Sequence, residues 1–398
     1  MTMRVHINRN SLFGSALDAA DQSNFHPEVV SDVRRFLSHV PYQETPLQSL
    51  PALASELRVG GILVKDEGAR SRLGSFKALG GTHAVIRLVI EEASKRLGRQ
   101  VEPEQLKDEA VHTVAKGMTF ACATDGNHGR AVAAGAQLSG ASCNVFVHSG
   151  VSEARADAIA AEGATVTRTA GNYDDSIAAL NAAADQHGWQ VVSDTSWPGY
   201  ETIPSRVMQG YLVMAEESVR QAGEAGLIPT HVFLQAGVGG YAAAVAAYLK
   251  LKLGEKAPVV VVVEPERAAC LFESARNGAV TRIDAEEPTV MAMLECYEPS
   301  AVAWRILQRT THAFVTVDES PAIEAMRTLA KPRGNDPRIV SGESGGAGVA
   351  ALLEASQSPA LRQALGLNEK SVVLLFNTEG ATDAATYRAL IGDEEAAL

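Results

Sequence analysis

Four short segments combine residue types that can do chemistry. In SRLGSFKALGG (71–81), Lys77 stands just ahead of the apolar-periodic stretch THAVIRLVIEEASKRLG (82–98). A helix capped by Ser75 would carry this lysine in its first turn. The positive end of the helix dipole and the neighbours Phe76, Ala78 and Leu79 disfavour an ammonium there. A lysine with a lowered pKa is what Schiff-base chemistry requires; a surface lysine on an amphipathic helix is the competing reading. In HVFLQAGVGGYAAAVAAYL (231–249) an apolar run enters Gly237, Val238, Gly239 and Gly240 and then opens a helical pattern. Successive backbone N–H groups at such a turn cradle a phosphate, and glycine permits close approach. A tight strand-to-helix turn is the alternative, and the spacing is not the GxGxxG of a nicotinamide site. In ATDGNHGRAVAAGA (123–136), Asp125 and Asn127 project from the carboxyl end of a strand, where open α/β sheets bind ligands. Asp125 reads equally as a helix cap, and His128 as a structural hydrogen-bonding residue. Asp194, in DTSWPGYE, closes a further apolar run and reads as a site carboxylate or as a loop aspartate satisfying backbone N–H groups.

The elements that must position these residues are legible as alternation. GILVKDE (61–67), TFACAT (119–124), CNVFVHS (143–149), QVVSD (190–194), HVFLQAG (231–237), PVVVVVEPE (258–266) and SVVLLFN (371–377) read as buried strands. Between them, GRAVAAGAQLSG (129–140), EARADAIAAEGA (153–164), DDSIAALNAAADQHG (174–188) and YAAAVAAYLKLKLG (241–254) have helical spacing. The pattern predicts an α/β protein of two domains, each with a largely parallel, open twisted sheet flanked by helices. Residues 86–204 form the smaller domain, closing over the site, and residues 1–85 and 205–398 the discontinuous larger one.

The chain has 398 residues, 46% hydrophobic and 21% charged, which excludes a disordered or fibrous protein. With 35 Lys+Arg against 47 Asp+Glu the formal net charge is -12, so no diffuse positive field draws it to nucleic acid or an anionic membrane. No apolar run approaches the roughly 18 residues of a membrane span, and the start MTMRVHINRNSLFG has no signal-peptide core, so a cytoplasmic protein is expected. Cys122, Cys143, Cys270 and Cys296 form no CxxC pair and there is no HExxH, so no metal site is expected. A clip between Cys270 and Cys296 is conceivable, but a reducing cytoplasm favours free thiols.

In order along the chain, the lysine of GSFKALGG, the DGNHG loop, the later glycine loop and a polar turn after the last strand resemble the fold type II pyridoxal-phosphate enzymes. The resemblance covers nearly the whole chain. It is closer still to the diaminopropionate ammonia-lyases, through ATDGNHGR (123–130), GNYDDS (171–176), DTSWPGYETIPSRVMQGY (194–211), DPRIVSGESGGAG (336–348) and NTEGATD (377–383).

The resemblance implies pyridoxal phosphate bound covalently to Lys77, with Phe76 beside it, and the phosphate held by Gly237, Val238, Gly239 and Gly240. Asn127 would face the ring hydroxyl, and Asn377 or Thr378 the ring nitrogen. Neither is a carboxylate, so the ring nitrogen need not be protonated, although the adjacent Glu379 leaves that partner open. Glu343 and Ser344 either border the cofactor or form a glycine-rich turn. The implied reaction is α,β-elimination on D- and L-2,3-diaminopropionate, giving pyruvate and two ammonia. Lys77 would serve as the base on one face and Asp125 on the other, with Asp194 meeting the substrate β-ammonium. Trp197 and Tyr200 either shape the pocket or simply pack. The implied partners are a small amino acid and a second copy of the chain.

Two other readings compete. One is a related dehydratase or synthase acting on serine, threonine or phosphohomoserine; against it stand DGNHG where a serine-containing loop is expected, and AGVGG in place of four consecutive glycines. The other is a non-catalytic pyridoxal-phosphate carrier or amino-acid sensor, which has no need of Asp125 as a second base.

Overall fold

The computed structural model describes residues 3–124, 126–284 and 287–393 of the chain. Among them are eleven strands: β1 (Val5–Ile7), β2 (Leu47–Ser49), β3 (Gly61–Asp66), β4 (Thr119–Ala123), β5 (Ser142–Val147), β6 (Thr165–Arg168), β7 (Gln190–Val191), β8 (His231–Gln235), β9 (Val259–Pro265), β10 (Ala313–Val317) and β11 (Val372–Asn377). They form a seven-stranded sheet of order β1-β10-β9-β8-β11-β3-β2 and a four-stranded sheet of order β6-β5-β4-β7. The smaller sheet is parallel throughout, and the larger is parallel except for its two edge strands. All seven apolar runs picked from the sequence contain a strand. Four strands lie outside those runs: β1 and β2 are three-residue antiparallel edges and β6 is a largely exposed edge, so these three lack an apolar signature, whereas β10, AFVTV, is buried along its whole length and has one.

Helices cover both faces of the larger sheet. The Ala-rich helix Gly240–Leu253 is buried along residues 240–249, so small side chains let it sit close against its neighbours. The charged turn after β3 is locked by an enclosed network. Lys65 Nζ lies 2.6 Å from Glu217 Oε2, and Arg70 Nη2 lies 2.8 Å from both Glu67 Oε1 and Glu217 Oε2. All four residues are buried. Removing one partner would leave an uncompensated buried charge, so this network fixes how the chain leaves β3 on its way to Lys77.

The helix Lys77–Leu97 joins the two sheets, and the domain boundary expected at 85/86 falls inside it. Its first residue is Lys77 and its cap is Phe76. Ser75, expected as the cap, lies one residue earlier, where its Oγ accepts from the Lys77 N–H at 3.3 Å. Close packing explains the last two glycines of GSFKALGG. A Cβ on Gly80 would stand 2.7 Å from Val207 O, and one on Gly81 would stand 2.8 Å from Ala131 Cβ. Helices Thr202–Gly210 and Asn127–Ser139 therefore approach the backbone of this helix directly from two sides.

Candidate active site

A cavity lies at the carboxyl ends of β4, β8 and β11, lined by Lys77, Thr124, Asn127, Asp194, Gly237 and Glu379 among others. This is the end of parallel strands at which open α/β sheets hold ligands. Lys77 is delivered there by the backbone. Ser75 forms an antiparallel bridge with Glu379, and the Phe76 N–H donates to Thr378 O at 3.1 Å. The Phe76 ring packs against Tyr211 and Tyr241, with centroids 4.8 and 5.0 Å away.

On another wall β8 passes through Ala236 to the loop Gly237–Gly240 and the start of helix Gly240–Leu253. Gly239 caps the helix at φ +92°, a conformation that favours glycine. The N–H groups of Val238, Gly239, Gly240 and Tyr241 have no acceptor among the described residues. A Cβ on Gly237 would stand 2.8 Å from Cys296 Sγ, while Cys270 Sγ lies 3.9 Å from Gly237 O. Both cysteines thus lie at the loop, and neither is in a disulfide.

Lys77 Nζ forms an ion pair with Asp194 Oδ2 inside the cavity. The lowered lysine pKa expected from the sequence is overturned here. Burial does pull the ammonium down, but the Asp194 carboxylate outweighs it and holds Lys77 above its ordinary value. Burial likewise opposes the Asp194 anion, and the Lys77 ammonium and His128 keep it below the usual carboxylate range. The buried His128 donates from Nε2 to Val192 O at 2.8 Å, which leaves Nδ1 3.9 Å from Asp194 Oδ2. Tyr200 buttresses this turn: its hydroxyl donates to Val191 O at 2.9 Å and accepts from the Ser193 N–H at 3.1 Å. Trp197 stacks outside on Tyr200 with ring centroids 4.3 Å apart. Neither aromatic lines the cavity.

At the end of β11 three consecutive polar side chains part company. Asn377, one of two expected partners for a ring nitrogen, faces away: its amide donates to Asp66 Oδ1 at 2.7 Å and Val340 O at 2.9 Å. Thr378 faces the cavity, and its Oγ1 accepts from Gln235 Nε2 at 3.0 Å. Glu379 also turns inward, where Asn127 Nδ2 donates to its Oε2 at 2.5 Å. Burial, then the neighbouring Glu343, push this carboxyl up to about 7 against the pull of Arg155. Ser344 lines the cavity, whereas Glu343 does not and instead accepts from Arg155 Nη2 at 2.5 Å. Gln235 escaped the sequence reading, although it is the one polar residue inside an otherwise apolar buried strand end, FLQ, and that was its signal. Tyr173 and Met293 also line the cavity and carry no signal of their own. Asp125 lies outside the described residues.

The family model described as "Pyridoxal-phosphate dependent enzyme" matches residues 40–379. The chain belongs to the pyridoxal-phosphate dependent enzymes. Among relatives of this family, the diaminopropionate ammonia-lyase of Escherichia coli (strain K12) is 39% identical over 400 residues, covering 98% of this chain and 99% of the relative. The crystal structure of an Escherichia coli diaminopropionate ammonia lyase in complex with an aminoacrylate-PLP azomethine reaction intermediate superposes with a TM-score of 0.88. It is 38% identical, covering 100% of this chain and 99% of that one. A structure of the Escherichia coli enzyme in complex with D-serine also has a TM-score of 0.88, at 37% identity, covering 100% and 99% of the two chains.

The residues present fit the cofactor of this family, pyridoxal phosphate. The glycine loop presents unsatisfied N–H donors at a helix start, as a phosphate requires. Lys77 supplies an amine in the same cavity. The buried His128 Nδ1, beside Asp194 at the cavity wall, has no hydrogen-bond partner among the described residues, so the site holds polar capacity that the protein itself does not satisfy. No cluster among the described residues suits a metal ion, and no helix among them is long and apolar enough to cross a membrane.

Proposed function

We propose that this chain is a diaminopropionate ammonia-lyase that eliminates β-ammonia from D- and L-2,3-diaminopropionate, giving pyruvate and a second ammonia after hydrolysis. The observation that carries this reading is the Lys77–Asp194 pair facing the glycine loop in one cavity. Asp194 is a half-buried carboxylate whose cationic partner, Lys77, is the amine that would carry the cofactor. Once Lys77 is so engaged, Asp194 is available to a second ammonium, and a substrate with an amino group on Cβ provides one. Serine, with a neutral hydroxyl there, does not.

When bound, the cofactor supplies a carbonyl carbon for amine attachment and a conjugated ring that draws charge from Cα. The phosphate would rest on the N–H groups of residues 238–241. Thr378 Oγ1 stands 3.0 Å from Gln235 Nε2, and its O–H would be left to donate to the ring nitrogen, a neutral partner that would not call for a protonated ring. With a neutral partner at the ring nitrogen the departing group would have to help, and Asp194 would hold it as the better-leaving ammonium. Lys77 Nζ takes the α-proton on one face and Asp125 on the other. Asn127, held by Glu379, would face the ring hydroxyl.

Residues 86–204 are taken as the domain that closes over this site, and residues 1–85 and 205–398 as the domain that carries the cofactor. A homodimer in the cytoplasm is the accompanying assignment. Four cysteines without a disulfide among them suit a reducing compartment, and a sedimenting species of only 42.0 kDa at micromolar concentration would refute the dimer.

The deciding experiment measures ammonia and pyruvate together from each enantiomer of 2,3-diaminopropionate and of serine. A lyase of this kind releases two ammonia per pyruvate from diaminopropionate and prefers it. A preference for serine, with one ammonia per pyruvate, would make the protein a dehydratase; no pyruvate from either, with pyridoxal phosphate bound, would make it a carrier.

A further inference from the structure

The four-stranded unit touches the larger one through the first turns of its helices. Asn127 begins helix Asn127–Ser139 and reaches Glu379, and Asp174 in helix Tyr173–His187 meets Arg282 at 2.5 Å. Ser152 and Arg155, at the start of helix Glu153–Ala160, reach Asp383 at 3.4 Å and Glu343 at 2.5 Å. Asp174 and Arg282 are 60% and 61% exposed, so their pair contributes little. The Arg155–Glu343 pair differs: its side chains are 15% and 4% exposed, and behind Glu343 lies the buried carboxyl of Glu379. Two enclosed carboxyls therefore share one guanidinium.

We propose that Arg155 is a positioning residue, which through Glu343 keeps Glu379 as the anionic acceptor that aims Asn127 into the cofactor cavity. The charged groups that face Glu379 are Glu343, from the turn after Ile339, and Arg155, from helix Glu153–Ala160. Its other partners are neutral: Asn127 and the Ser344 N–H, which donates at 3.3 Å. Without the guanidinium, two neighbouring buried carboxyls cannot both ionise, and one takes a proton. A protonated Glu379 offers an O–H where Asn127 now finds an acceptor. The amide then turns its carbonyl towards Glu379, and the end it presents to the cavity is exchanged. Arg155 belongs to the four-stranded unit and Glu343 and Glu379 to the seven-stranded one, so the aim of Asn127 depends on the two units lying together. This inference rests on the cofactor reading of the cavity.

Two measurements on the full chain test it. In the loaded enzyme, R155Q should move the acid limb of the kcat/KM profile up by about one pH unit or more, and E343Q should move it down. The double variant should return near the parent, and R155K, which keeps a cation, should stay there. A limb that stays put, or moves the same way in R155Q and E343Q, overturns the proposal. If R155Q does not fold, the E343Q shift alone decides. In the cofactor-free protein, hydrogen exchange over residues 126–139 should be faster in R155Q than in the parent and restored in R155K. Unchanged exchange there overturns the proposal whatever the rates. That arm needs neither cofactor nor turnover, so it stands even if the substrate assignment fails.

Discussion

Ser75 and Glu379 pair as an antiparallel bridge, so the segment ending in Lys77 is stitched to the turn whose carboxylate holds Asn127. The amine and the amide that flank the cavity from different units are therefore referenced to a single backbone junction. The variants below probe what that junction organises.

Asp194→Asn keeps the size of the side chain and removes its charge. Lys77 then loses the anion that holds its pKa up, burial dominates, and its amine is more readily deprotonated. Attachment of pyridoxal phosphate should survive. Turnover of diaminopropionate should suffer, because a charged hydrogen-bonding partner contributes about 1.5–3 kcal/mol, or roughly 10- to 150-fold. Serine should lose much less. The ratio of kcat/KM for the two substrates checks this, and an unchanged ratio removes Asp194 from the leaving-group role.

Asp125→Asn addresses stereochemistry. Asp125 stands in sequence between Thr124 and Asn127, both of which line the cavity. Loss of one positioned base costs about 100- to 10,000-fold, and the loss in kcat should fall on D-diaminopropionate, with L-diaminopropionate keeping the Lys77 route. Paired kinetics on the two enantiomers decide. No loss on either form returns Asp125 to the role of a helix cap, which asparagine fills nearly as well. Equal severe loss assigns it to a step that both share.

Gly239→Ala should weaken cofactor binding more than folding. At φ +92° an alanine is strained by about 1 kcal/mol. Its Cβ would also stand 3.0 Å from Leu271 Cδ1, so the loop must shift to admit it. Titration with pyridoxal phosphate should show a raised Kd, while the thermal midpoint of the cofactor-free variant falls by only a few degrees. An unchanged Kd would mean that another segment holds the phosphate.

Glu379→Gln should alter the pH dependence of stability. The folded carboxyl, at about 7, lies above its unfolded value, so between the two the folded state binds more protons. Its contribution is complete below the unfolded pKa and is lost as pH rises through about 7. Denaturant unfolding of the cofactor-free protein at pH 5 and pH 8 should therefore show a drop on the order of 1–3 kcal/mol that the glutamine variant lacks. Parallel behaviour of the two proteins would mean that Glu379 is ionised throughout.

The positions of Lys77, Asn127 and the glycine loop were legible because each follows a strand or opens a helix whose periodicity is strong. The direction of a side chain within a turn was not. In NTEG, Asn377 turns towards Asp66 while both Thr378 and Glu379 face the cavity, a division that only the packing around the end of β11 decides. The ionisation of Lys77 was misjudged for a related reason. Local sequence records Phe76, Ala78 and Leu79, but the charge that decides the outcome is Asp194, 117 positions away. Arg155 had no local signal at all, since its partner lies 188 positions further on.

Gly80 and Gly81 do no chemistry, yet they govern the accuracy of the residue that does. With Val207 pressed against one side of their helix and Ala131 against another, the helix cannot roll about its own axis without a collision. Lys77 begins that helix, so its bearing is set three and four residues downstream, by side chains that are missing.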